Sequence, residues 1–216
     1  MSPFSMGAAL RFGARHLLRN LPVFVAIEAA YVALWVVLEL LVFRFASTPG
    51  SWWWVALHLA WLFATSVPEA ALLRVALSVR ESGSWTRSDL EAAVRLAPIF
   101  FVAKVIYLLA ILLGVLLLIV TGVYAAVRHA PWGFVVTAGE RRPFAAISTS
   151  AEMTDGVKWK LLGFGALLLL INAFGAALLG VGLVFTLPLT AMAAADVFQR
   201  LRDRHGCGEL VPRPGP

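Results

Sequence analysis

Residues 157–201 read VKWKLLGFGALLLLINAFGAALLGVGLVFTLPLTAMAAADVFQRL. After Lys158-Trp159-Lys160 come about twenty apolar residues, then Gly180-Val181-Gly182, then about fifteen more before Asp196 and Arg200. A helix needs roughly 20 residues, at about 1.5 Å each, to cross a hydrocarbon layer of about 30 Å. The stretch therefore holds two crossings with almost no loop between them. Its glycines suit the positive φ of a tight helix–helix turn. The reading is a transmembrane hairpin, closed at its glycines and flanked by charge at its other end.

The rest of the composition agrees. Of 216 residues, 61% are apolar and 14% charged, and the mean hydropathy is +0.85. A soluble domain is about half apolar and about a quarter charged. The expected class is all-α, a polytopic transmembrane bundle of about six crossings. The net charge of +6 sits in short segments at helix ends. That placement points to anionic lipid headgroups rather than nucleic acid. Cys207 is the only cysteine, so no disulfide within the chain is expected.

Outward from the hairpin, the crossings fall at about 21–45, 55–79, 97–120, 123–138, 157–179 and 183–201, one domain over 21–201. Residues 1–20 precede them as an interfacial amphipathic helix, or as a cytosolic cap packed on the bundle; both can hold. Leu10, Ala14, Leu17 and Leu21 share one face, and Arg11, Arg15 and Arg19 share another. Residues 21–45 are too long and too acidic, with Glu28 and Glu39, for a cleavable leader. Trp52-Trp53-Trp54 marks a membrane interface, and Pro68 predicts a kink. Ser88-x-x-Glu91 resembles a capping box, and Thr121-Gly122 reads as a second tight turn. Residues 123–138 contain Arg128, His129, Pro131 and Gly133, so this crossing should be shielded in the bundle or partly re-entrant. Pro143 suits the first turn of a short helix stopped by Gly156. Residues 202–216 read as a disordered cytoplasmic tail. Fourteen of the eighteen lysines and arginines fall in the N-terminus, 80–95, 141–160 and the C-terminal segment. The positive-inside rule then puts both termini in the cytoplasm.

Ala146, Ser150, Met153-Thr154 and Gly156, the Lys158-Trp159-Lys160 approach, Gly180-x-Gly182 and Thr186-x-Pro188-Leu189 carry a resemblance. Over 113–201 the chain resembles a poorly characterised group of bacterial multi-pass proteins. The group includes the membrane domain found ahead of some glycerophosphodiester phosphodiesterases. The resemblance implies the same architecture and a bacterial inner membrane. It implies no catalytic residue, because no phosphodiesterase domain is present.

Ionisable groups inside a bilayer cost roughly 2.5–3.5 kcal/mol each on insertion scales, so they face partners or water. Counting helix rise puts Glu28 about 10 Å above the inner boundary, with Glu69 and Lys104 near that level. The same count puts Glu39, His58 and Arg128, with His129, about 8–9 Å in from the outer side. Two buried polar layers are expected. They serve as a polar path or headgroup-sized pocket, or as ion pairs that fix helix register. Lipid headgroup contacts are expected at Arg11, Arg15, Arg19, Arg141, Arg142, Lys158 and Lys160. No acid, base and nucleophile come together, so no catalytic site is expected. His205 and Cys207 alone do not make a metal site, and no cofactor motif is present. The functional expectation is a membrane scaffold or accessory protein for envelope proteins or lipids. The alternative is a small transporter, channel or lipid-handling protein that uses the buried charges.

Overall fold

The structure is a computed structural model and describes residues 4–45, 51–178 and 182–205. Among these residues the chain is all-helical, with no strand. Helix α1 spans Met6–Phe45, 40 residues. At about 1.5 Å per residue it is roughly 60 Å long, twice the hydrocarbon thickness. The expected interfacial helix and first crossing are therefore a single helix. Pro22 lies inside it without ending it. The buried stripe is Ala9, Gly13, Leu17, Asn20 and Phe24. Ala14, expected on the apolar face, is exposed, as are Arg11, Arg15 and Arg19. The helix is turned by its partner: a Cβ on Gly13 would stand 2.7 Å from the Leu189 carbonyl oxygen. Backbone-to-backbone packing, rather than the most apolar arc, decides which face goes inward.

Helices α2 (Trp52–Ala64) and α3 (Ser66–Ser82) are separated by Thr65 alone. Pro68 sits in the first turn of α3, where its missing N–H costs least. Gly83, at φ 82°, ends α3. Helix α4 (Arg87–Leu117) starts at Thr86, whose N–H donates to Asp89 Oδ2 at 2.9 Å. The capping box is thus Thr86–Asp89, not Ser88–Glu91. Asp89 is selected because α3 also donates to it, while Glu91 stays exposed near Arg87.

The turn after α4 is Leu118 alone, extended at φ −162° and ψ 142°. Thr121 and Gly122, expected as the turn, lie within α5 (Ile119–Arg128). A Cβ on Gly114 would stand 2.8 Å from Gly122 Cα, so these glycines serve helix contact. The chain then returns along α4. Tyr107 Oη donates to Ala126 O at 3.2 Å, and the Trp132 and Phe100 rings lie 4.7 Å apart. Helix α6 (Trp132–Thr137) is wholly buried. Residues 123–138 thus form a broken return whose second half is enclosed by protein.

Helix α7 (Pro143–Met153) starts at its proline, and Gly156, at φ 77°, redirects the chain into α8 (Lys158–Ala177). Helix α9 spans Leu183–Arg204. Gly180 and Val181 lie outside the described residues. Gly182 is right-handed, at φ −60°. Its bare Cα is needed for contact, since a Cβ would stand 2.7 Å from Gly175 Cα. The first part of the expected tail is ordered. Residues 202–204 are helical, and Arg202 Nη2 meets Glu81 Oε1 at 3.1 Å. Residues 206–216 lie outside the described residues.

Among the described residues, four helices are long and apolar enough to cross a membrane: Met6–Phe45, Trp52–Ser82 (α2 with α3), Arg87–Leu117 and Lys158–Ala177. Helix α9 is not among them. It packs against α1, α3 and α8, and half of its residues are buried. A helix surrounded by protein does not need lipid-grade apolarity.

Candidate functional site

Three elements converge on Glu28. Helix α1 brings Glu28 and Tyr31, α3 brings Pro68 and Glu69, and α9 brings Leu187; with Ile27 and Leu72 they enclose a cavity of about 220 Å³. A second cavity of about 350 Å³ shares Glu28, Tyr31 and Leu187, and extends to Trp35 and Trp61. On the other side of Ile27 and Pro68, an apolar groove of about 560 Å³ is lined also by Val23, Ala71 and Leu90. The arrangement is an acidic chamber beside a greasy one.

The two carboxylates differ. Lys104 Nζ donates to Glu69 at 2.8 Å and to Thr65 Oγ1 at 3.2 Å. Glu69 is therefore neutralised within the protein. Glu28 is 8% exposed, and among the described residues it has neither hydrogen bond nor ion pair. A carboxylate in this position is costly unless something compensates it. Trp61 Nε1–H, on the wall of the second cavity, is also buried without a partner. The structure brings Glu28, Glu69 and Lys104 to one place, with Tyr31, Trp35 and Trp61, which the sequence reading did not single out. Their signal was i, i+3 and i+7 spacing from Glu28 for Tyr31 and Trp35.

The expected outer layer does not assemble. Glu39 is exposed and forms no ion pair with Arg128. His58 Nδ1 lies 2.7 Å from Trp54 O, within its own helix. Arg128 lies at the opposite end. Its carbonyl accepts from Thr154 Oγ1 at 2.8 Å, and its guanidinium reaches Tyr124 Oη at 3.5 Å. His129 Nδ1 contacts Ala125 O at 2.9 Å. Helix α5 turns back at Leu118 and has only ten residues, so Arg128 ends beside the 154–158 loop. There Lys158 Nζ meets Asp155 Oδ1 at 2.7 Å and donates to Tyr124 Oη at 3.0 Å. The hydrogen bond and charge of Lys158 hold the Asp155 carboxyl below the usual range, and Arg128 adds to this.

Of the expected headgroup residues, Arg141 and Arg142 are exposed, and Arg142 lies 3.5 Å from Glu140. Lys160 instead turns inward, donating to Phe4 O with its ammonium 4.8 Å from the Phe4 ring. The sequence reading missed Arg74. It is buried, donates through Nε to Asp89 Oδ1 at 3.0 Å and through Nη1 to Thr137 O at 2.9 Å. Ser78 Oγ adds a 2.7 Å bond to the same carboxylate oxygen. This ties α3, α4 and α6 together and faces no cavity described here. Among the described residues no group of three His, Cys, Asp or Glu is placed to hold a metal.

Fold and chamber together define a helical bundle fitted to a membrane, with a buried acidic cavity between three of its helices. Comparison with known proteins finds no matching family model, no matching curated protein and no matching solved structure.

Proposed function

We propose that the chain is a small membrane transporter or lipid-handling protein, without catalytic activity, that receives a cationic amphiphile between α1, α3 and α9. One observation carries the reading: Glu28 is buried at a cavity and, among the described residues, forms no ion pair. A positively charged head completes the charge balance there. Tyr31, Trp35 and Trp61 offer aromatic faces, which attract cations at short range. The neighbouring groove supplies an apolar wall for a tail. The proposed setting is a bacterial inner membrane, with six crossings and both termini in the cytoplasm.

The experiment is binding of tetraphenylphosphonium to the purified protein in detergent, with triphenylphosphine oxide as the uncharged control. Saturable binding of the cation alone is expected. Glu28→Gln should weaken it roughly tenfold or more, the scale of one charge-assisted contact. Equal affinity of the two proteins would remove the basis of the reading.

A second reading, a scaffold for envelope proteins or lipids, draws on a different feature. The tip of the α4–α5 hairpin is exposed and apolar, with Leu116 80% and Val120 76% exposed. Such a surface suits contact with lipid chains or with the membrane-embedded face of another protein. Crosslinking from cysteines at Leu116 and Val120 tests it, and only lipid adducts would count against a protein partner.

A further inference from the structure

The basic end of the bundle carries a second concavity that shares no residue with the acidic chamber. Helix α1 contributes Arg11, Arg15 and His16, α3 contributes Arg80, and α9 contributes Asp196 and Arg200. The groove between them holds about 420 Å³.

Its charge is out of balance. Asp196 is 2% exposed and takes two guanidiniums at once. Arg80 Nε lies 2.7 Å from Oδ1, and Arg200 Nε lies 2.8 Å from Oδ2. Either arginine alone would neutralise that carboxylate. Arg11 and Arg15 add two more positive charges and, among the described residues, meet no carboxylate; Arg11 Nε donates to Gly7 O, at 3.1 Å, in its own helix. The lining thus holds four arginines and one aspartate, a surplus of three positive charges before His16 is considered. Arg80 spends only its Nε on Asp196, so its terminal nitrogens remain as donors. Its plane is supported by Phe12, whose ring centroid lies 5.4 Å from Arg80 Cζ.

Guanidiniums in excess over carboxylates, two of them held by Asp196, match one ligand chemistry above others, the phosphate group, because a guanidinium fork pairs with two phosphate oxygens. The groove also lies at the right level. Its α1 residues precede the apolar run that starts at Leu21, which places it among headgroups rather than chains. Arg19, on the same helix, is not part of it. The tertiary structure thus separates two of the three N-terminal arginines from the third.

We propose that this groove is a discrete binding site for one phosphate ester, built by α1, α3 and α9 at the basic end of the bundle. The source is either an anionic lipid headgroup or a soluble phosphate ester. The proposal is independent of the acidic cavity.

The test uses the full-length protein. Native mass spectrometry counts phosphatidylglycerol molecules retained from mixed detergent–lipid micelles. In parallel, glycerol 3-phosphate is titrated by calorimetry at constant ionic strength. Wild type should retain one tight phosphatidylglycerol or bind glycerol 3-phosphate with unit stoichiometry. Arg11→Gln with Arg15→Gln should weaken that event more than about tenfold, since each removes a charge-assisted contact. Both residues are exposed, so the variant's thermal unfolding should match wild type. Arg19→Gln with Arg141→Gln removes the same charge elsewhere and should leave the event unchanged. Retention of lipid alone identifies the headgroup as the source, and binding of glycerol 3-phosphate identifies a soluble ester. Absence of both, or equal loss in the two double variants, overturns the proposal.

Discussion

Arg74 and Glu28 are both buried charges, and their surroundings make them opposites. Arg74 has Asp89, and through it Ser78 and Thr86, so every charge in that knot is answered. Removing Arg74 leaves Asp89 buried without its cation, with only the Ser78 and Thr86 hydrogen bonds to hold it, which costs about 3–5 kcal/mol. Arg74→Ala is expected to lose that much in denaturant unfolding in mild detergent, and Arg74→Lys to recover only part, because a lysine cannot reproduce the Nε and Nη1 bonds together. Glu28 has no partner to orphan. Glu28→Gln should leave stability unchanged or raised in the same assay while it weakens cation binding. That pairing separates a residue kept for structure from one kept for a ligand. Asp155 answers to pH. Its folded pKa is lowered by Lys158, so its contribution to stability is present above the unfolded value of about 3.9 and is lost as pH falls through the folded one. Asp155→Asn should therefore lower the melting temperature slightly at pH 7 and leave it unchanged at the acid end, as read by scanning fluorimetry. Glu28 and Lys104 were legible in the sequence as intramembrane charges. Arg74 was not assigned its role, because its partner lies fifteen residues away across a turn.

At the scale of helices, the glycines were legible as special, but only part of their purpose was. Gly122 and Gly182 were expected to bend the chain. Gly122 lies inside α5 instead, while Gly182 stands in the turn before α9; each presses its backbone on an earlier glycine, Gly114 and Gly175, across an antiparallel pair. The one-residue turn at Leu118 needs no glycine because its φ is an ordinary extended one. Gly182→Ala should therefore force α8 and α9 apart and cost about 1–3 kcal/mol, the range for overpacking. Gly165 meets nothing within 4 Å. Gly165→Ala should be neutral or stabilise by up to about 1 kcal/mol through helix propensity. Thermal unfolding of the two variants side by side checks both. If Gly182→Ala were tolerated as well as Gly165→Ala, close backbone contact would not be what joins the hairpin.

In the whole molecule, the first and last of the described residues gather at one place. Phe4 meets Lys160 and Phe164, and a Cβ built on Gly156 would stand 3.7 Å from Arg204 Nη2. Cysteines introduced at Ser5 and Asp203, in a chain lacking Cys207, should react with an impermeant thiol reagent from the same side of a sealed vesicle. One introduced at Trp52 should react from the other. Labelling of Ser5 and Asp203 from opposite sides would contradict this topology. The amino-acid sequence by itself determined an all-helical chain with segments long and greasy enough for a bilayer, because apolar run length and helix rise are local quantities. Counting along straight helices also grouped Glu28, Glu69 and Lys104, and the structure has Glu28 and Glu69 on one cavity with Lys104 paired to Glu69. Only the tertiary structure decided which charges meet. Arg128 moved away from Glu39 when α5 turned back early, and Arg11 and Arg15 joined Arg80 and Arg200 through the rotation of α1 on α9. Helix rotation and crossing are set by small residues that let backbones touch, and that geometry exists only once the neighbouring helix is in place.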